Sequence, residues 1–155
     1  MKAVIQRVYE AKVYADGTLS GVCGKGLYIL LGVMAEDSAE DARLLAEKIS
    51  KLRIFSDECG KMNLSLKDID GEALVVSNFT LAANYAHGNR PDYLSGDAPA
   101  AARELYELFI SEMKMRVRSC QSGVFGSDMR TEMSTDGPVT IVMDSGVLKK
   151  RTNKQ

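Results

Sequence analysis

The chain is predicted to fold as α+β, a curved mixed β-sheet or partly closed barrel with two main helices against it. Three observations carry this reading. Asp16-Gly17 between short alternating segments is a type I′ hairpin signal. Leu27-Tyr28-Ile29-Leu30-Leu31-Gly32-Val33 is apolar without alternation, as in a strand covered on both faces. Two later stretches repeat apolar residues at helical spacing.

Taken in order, Ala3 to Val8 reads as a strand, and Lys12 to Ala15 pairs with Thr18 to Val22 across the Asp16-Gly17 turn. Gly24-Lys25-Gly26 then turns the chain into the apolar strand, which belongs in the middle of the sheet. Asp37 is placed to cap a helix whose third residue Glu40 reaches back, with Ala42, Leu45, Ala46, Ile49 and Leu52 on one face. Arg53 to Ser56 and Ala73 to Leu81 read as strands. Residues 82 to 98 form a polar loop, of a length that in compact domains is often functional. The second helix opens near Asp97 with Pro99 in its first turn and runs to about Arg118, turning Ala102, Leu105, Phe109 and Met113 inward. Strands follow around Gly123 to Phe125, Met129 to Met133 and Val139 to Met143. Residues 1–146 are read as one domain, and 147–155, with Lys149, Lys150, Arg151 and Lys154, as a basic, disordered tail.

Composition narrows the function classes. With 155 residues, 45% hydrophobic content, and 20 Lys+Arg against 21 Asp+Glu, the chain supports one real core and lacks the global basicity of a nucleic-acid coat. Any RNA contact must be local. Cys23, Cys59 and Cys120 are odd in number and without a CxxC pattern, which argues against a disulfide framework or thiolate metal site and fits a reducing cytoplasm. Met1 to Arg7 is charged too early for a secretory segment, and no apolar run approaches a membrane span.

The usual catalytic equipment is missing. The sole histidine, His87, lies in the long loop, which excludes a metal site made of several histidines. No G-x-S-x-G elbow accompanies Ser77, and no histidine lies near Cys23 or Cys120 to activate a thiol. Acidic pairs such as Asp68 and Asp70 sit where turns explain them. Neither metal nor cofactor is expected. What stands out instead is Ser77-Asn78-Phe79-Thr80-Leu81, which crowds polar groups onto the end of an apolar strand, and Asp136-Gly137-Pro138. The first is either an ordinary strand end or a ligand site, since polar groups in a buried strand need partners. The second is either a loop turn or a rigid backbone wedge, in which glycine permits close approach and proline fixes direction.

Gln6-Arg7-Val8, Arg53-Ile54-Phe55-Ser56-Asp57, Gly60-Lys61-Met62-Asn63-Leu64, Gly88-Asn89-Arg90-Pro91 and Gly137-Pro138-Val139-Thr140 occur in the order in which the D-aminoacyl-tRNA deacylases carry them. The chain resembles that family from its first residues to about Met143. The resemblance implies a homodimer that hydrolyses the ester of D-aminoacyl-tRNA, and glycyl-tRNA mischarged on tRNA(Ala), in the cytoplasm. Ser77, Asn78, Phe79 and Thr80 would form the catalytic segment. Gly137 and Pro138, joined by a cis bond in the family, would reject L-amino acids from the neighbouring subunit, with Arg7 supporting them. Phe125 and Met129 would hold the terminal adenosine.

Two letters depart from the family pattern. Asn78 stands where it usually has Gln, and Thr135 where it has Asn, as in a sister group of achiral deacylases, although Val139-Thr140 is the D-specific pattern. Two other readings accompany this one: an achiral deacylase, and a non-catalytic nucleic-acid-binding module using Lys114, Arg116, Arg118 and the basic tail on phosphates.

Overall fold

The computed structural model describes residues 1–152. In chain order the elements are β1 (Lys2–Ala15), β2 (Thr18–Cys23), β3 (Gly26–Gly32), α1 (Ala39–Ser50), β4 (Phe55–Ser56), β5 (Met62–Leu64) and β6 (Glu72–Ser77). A short 3₁₀ helix (Phe79–Ala82), α2 (Pro99–Lys114), β7 (Ser119–Ser122), β8 (Met129–Asp144) and α3 (Ser145–Thr152) follow.

The main sheet runs β2-β1-β3-β6-β7, with β8 on β1. β1 is long enough to serve two neighbours on one edge: Lys2 to Val8 pair with β3, and Ala11 to Ala15 pair with β2. Its other edge is taken along its length by antiparallel β8. The two ends of the sheet curl together, where the Val22 amide donates to Gln121 Oε1 at 3.0 Å. This is the partly closed barrel expected. Asp16 and Gly17 both have positive φ, 49° and 81°, as a type I′ turn requires.

β3 lies between β1 and β6, and it is almost wholly buried. It runs parallel to β6, and β6 parallel to β7. Parallel neighbours need long crossovers. The α1-to-β5 segment supplies the first and α2 the second. Both helices pack on one side of the sheet, where Leu45, Ile49, Phe109 and Met113 join Ile5, Leu27, Ile29 and Leu31 in the main core.

The structure corrects several local expectations. The N-cap of α1 is Ser38, with Asp41 rather than Glu40 reaching back to the Ser38 amide at 2.8 Å. Asp37 is drawn away because its carboxylate accepts from the Met34 amide at 2.6 Å and from the Met1 ammonium. The Arg53-to-Ser56 strand shrinks to two residues. α2 ends at Lys114, and its buried stripe includes Tyr106 and Ile110 while Leu105 is only half-buried. Ser119 to Ser122 form β7, so Gly123 to Phe125 is a connection, and the two final strands are one strand of 16 residues, β8. Helix α3 spans 145–152, so residues 147–152 of the expected disordered tail are helical. Lys149 reaches the buried Asp41 carboxylate at 2.6 Å. Burial would raise Asp41, but hydrogen bonds from Lys149, Ser38 and Ser145 outweigh it and hold the carboxyl well below its usual range. Lys154 lies outside the described residues.

Candidate active site

β6 leaves the sheet one residue before Asn78. Sequence periodicity runs the strand on to Leu81, but pairing with β3 stops at Leu31–Ser77, and the next residues tighten into the 3₁₀ helix. Asn78 makes this exit. Its amide still donates to Leu31 O at 2.8 Å, while its side-chain Oδ1 turns forward to accept from the Thr80 amide at 3.1 Å and from the Thr80 hydroxyl. Asn is an effective cap because its short side chain reaches an amide two residues on.

A cavity of about 370 Å³ opens beside this turn. It is lined by Ser77, Asn78 and Phe79 from this turn, by Phe125 and Met129 from the segment that leads into β8, and by Pro99, Ala102 and Tyr106 of α2. Tyr106 is fixed by donating to Val75 O at 3.0 Å. Its burial raises its pKa, so the phenol stays protonated at neutral pH. Phe125 packs on Tyr106 with ring centroids 5.5 Å apart, and the Arg103 guanidinium lies 5.6 Å from the Phe125 centroid. Segments 48 residues apart in sequence, Ser77 and Phe125, thus meet in one hollow.

Thr80 does not line the cavity. Its side chain is exposed and its hydroxyl donates to Asn78. Because Asn78 Oδ1 already occupies the Thr80 amide and Leu81 N donates to Asn78 O, the main-chain donor of this turn left open beside the cavity is Phe79 N–H, for which no acceptor is found among the described residues. The cysteines offer no alternative nucleophile at this site. Cys23 and Cys120 are buried, and burial pushes both thiols up to about 12. Among the described residues no group of three or more His, Cys, Asp or Glu side chains has metal-ligand geometry.

Arg7, Gly137 and Pro138 are absent from the lining of this cavity. They form a second structure on the β1–β8 ladder. Gln6 faces Thr140 and Val8 faces Thr135, so Arg7 alone is opposed by residues 136 to 139, and β8 bulges outward. Arg7 Nε donates to Asp136 O at 3.1 Å and stands 3.0 Å from Asp136 Oδ2, while its Nη1 donates to Ile54 O at 2.6 Å. This clamp holds the residue before Gly137. The Gly137–Pro138 peptide is cis, and a Cβ at Gly137, with φ of +149°, would fall 2.2 Å from Val139 N. Gly137 and Pro138 are exposed at the crest of the bulge.

Sequence reasoning missed Tyr106, Gly96 and Asp97, which also line the cavity. The long loop marked Gly96 and Asp97 only as a region. Tyr106 sits next to the expected inward position Leu105, and only the actual roll of α2 selects it.

The fold that carries this strand exit, hollow and clamped bulge is an aminoacyl-tRNA deacylase fold. The family model for D-Tyr-tRNA(Tyr) deacylase matches residues 4–144, and the chain belongs to that family. Among its relatives, the D-aminoacyl-tRNA deacylase of Chloroflexus aurantiacus is 50% identical over 149 residues, covering 96% of this chain and 93% of that one. The D-aminoacyl-tRNA deacylase of Anaeromyxobacter dehalogenans is 48% identical over 145 residues, covering 94% and 97%. Of solved structures, the c-Myc DNA Unwinding Element Binding Protein superposes with a TM-score of 0.87 at 36% identity, covering 93% of this chain and 98% of that one. A probable eukaryotic D-amino acid tRNA deacylase shares the fold, with a TM-score of 0.81 at 13% identity over 92% and 97%.

Proposed function

We propose that this protein is a D-aminoacyl-tRNA deacylase that binds the 3′ end of its substrate in the cavity between Ser77–Phe79 and Phe125–Met129. The observation that carries this reading is the hollow itself, which is lined by three of the four residues of the expected catalytic segment, Ser77, Asn78 and Phe79, and by both expected adenosine contacts, Phe125 and Met129. The terminal adenine packs against Phe125 and Met129, and the ester lies toward Phe79. An aminoacyl ester is already activated, so the work is to place water and stabilise the oxyanion. Phe79 N–H is the donor for that oxyanion. Asn78 orients this amide by fixing the turn around it.

The reading includes a homodimer in which Gly137 and Pro138 of one subunit enter the cavity of the other. In support, they are exposed and do not line the cavity of their own chain, and β8, paired only with β1, presents an open edge with Val142 75% exposed. A rigid backbone wedge there rejects the L hand by steric clash whatever the side chain. Such an enzyme works in the cytoplasm, where aminoacyl-tRNA is made. No described helix is long and apolar enough to cross a membrane. Incubating the purified protein with D-Tyr-tRNA tests the assignment directly: free D-Tyr must appear, whereas a shifted tRNA with its ester intact would mean a binding module.

Thr80→Ala is expected to retain measurable turnover, because the hydroxyl serves the Asn78 turn and Thr80 does not line the cavity. A variant that binds tRNA normally with no detectable hydrolysis would make Thr80 the nucleophile instead. Gly32→Ala should be far more damaging. A Cβ there would lie 3.0 Å from Asn78 O and 2.9 Å from Leu81 Cβ, so the turn must shift. A displacement of about 1 Å at reacting groups costs about a hundred-fold in rate. Deacylation kinetics with D-Tyr-tRNA would reveal it, and unchanged kcat/KM would show that the turn tolerates movement.

A further inference from the structure

The terminal adenosine accounts for one nucleotide, and the unpaired nucleotides before it must leave the cavity over one rim. Two exits are available. On the Met129 side a second hollow is lined by Tyr14, Asp16, Asp128 and Arg130. Arg130, its one cation, is already paired with Glu132, so phosphates leaving this way would meet Asp16, Asp128 and Glu132.

The Phe79 side differs in charge and shape. Phe79 meets Tyr93 edge-on at 5.1 Å, and Tyr93 ends a loop that begins at Ala83. The loop is pinched at its base: Asn84 N donates to Asp92 O at 2.8 Å, Asp92 N to Asn84 O at 2.9 Å, and Asn84 Nδ2 to Asp92 Oδ2 at 3.1 Å. Ser95 Oγ, bonded to Ala82 O at 2.6 Å, ties the base to the 3₁₀ helix. Above the pinch, residues 85–91 are all exposed. They contain Tyr85, His87 and Arg90 and no acid. Asp92 is exposed, and both its carboxylate oxygens accept hydrogen bonds from the loop itself, the second from Leu94 N at 3.3 Å. Arg90 makes no ion pair or hydrogen bond among the described residues, and Tyr85 is 79% exposed.

We infer that the loop from Ala83 to Tyr93 is a second RNA contact, which takes the unpaired nucleotides preceding the terminal adenosine, Tyr85 stacking on a base and Arg90 meeting a phosphate. An exposed aromatic ring beside a free guanidinium is the pairing by which single strands are held irrespective of sequence. A loop crest with a cation and no acid, above an Asp92 whose carboxylate is engaged at the base, suits a polyanion better than a second protein. The inference rests on the deacylase reading of the cavity.

The test compares D-Tyr-tRNA with the D-tyrosyl ester of adenosine, which lacks every phosphate and every preceding base, using the full-length chain and its Tyr85→Ala and Arg90→Gln variants. Each variant is expected to lower kcat/KM for the tRNA about ten-fold through KM, with kcat and adenosine-ester hydrolysis unchanged. Arg90→Gln should also flatten the salt dependence of tRNA hydrolysis by about 0.7 in log–log slope, and Tyr85→Ala should not. Equal losses on both substrates would reduce the loop to a support for Phe79, and no loss on either would remove it from recognition. A tRNA-specific loss accompanied by a changed sedimentation coefficient would make it a subunit contact. Wild-type protein inert toward both esters would overturn the deacylase reading itself, an outcome separate from active wild type with unaffected variants.

Discussion

Arg7→Ala is expected to lower stability by about 3–5 kcal/mol, measured by denaturant unfolding, because it strands a mostly buried carboxylate. The Arg7 and Asp136 side chains are 11% and 17% exposed, and three separate acceptors, Asp136 O, the Asp136 carboxylate and Ile54 O, depend on the one guanidinium. Arg7→Lys should recover only part of the loss, since an ammonium lacks the planar fork that serves all three. The same change loosens the residue before Gly137, so discrimination between D and L substrates should weaken together with stability. Unfolding free energies within about 0.5 kcal/mol of wild type would show that the clamp is incidental to the fold.

Chiral discrimination is the second large effect. D-Tyr-tRNA and D-Asp-tRNA should be cleaved at comparable rates, and L-Tyr-tRNA about a thousand-fold more slowly, the equivalent of about 4 kcal/mol of clash in the transition state. The comparison between Tyr and Asp matters as much as the one between hands. A backbone wedge reads the direction of the side chain and ignores its chemistry, whereas a side-chain pocket would favour one of the two. Paired hydrolysis assays decide the point: efficient L cleavage removes the wedge, and a strong preference between the two D substrates replaces it with a pocket. If L-Tyr-tRNA survives while glycyl-tRNA is cleaved, the wedge excludes a Cβ direction and nothing else.

Elements whose character rests on neighbouring residues were readable in advance. The Asp16-Gly17 turn needs two positive φ values and has them, and the apolar stretch at Leu27 to Leu31 fills the centre of the sheet. Errors arose where a distant group competes for a local one. Asp37 would cap α1 on local grounds, but Met34 and Met1 claim its carboxylate, and Ser38 becomes the cap. The apolar pattern continues past Ser77, yet the strand stops there because Asn78 Oδ1 captures the Thr80 amide. Gly137-Pro138 reads as a break between strands, while antiparallel pairing with β1 on both sides keeps β8 continuous through a bulge.

By itself the sequence determined the α+β class, the hairpin, the central strand and the two main helices, and through its ordered motifs it pointed to the deacylase family. Periodicity and turn chemistry are short-range, so they survive without coordinates. Only the tertiary structure decided that Ser77 and Phe125 line one hollow, that Tyr106 rather than Leu105 turns into it, and that Arg7 grips Asp136 and Ile54 together. Those pairings depend on how far β1 runs, how β8 bulges along it and how α2 rolls on the sheet. Each is fixed by long-range packing, which no window of neighbouring residues contains.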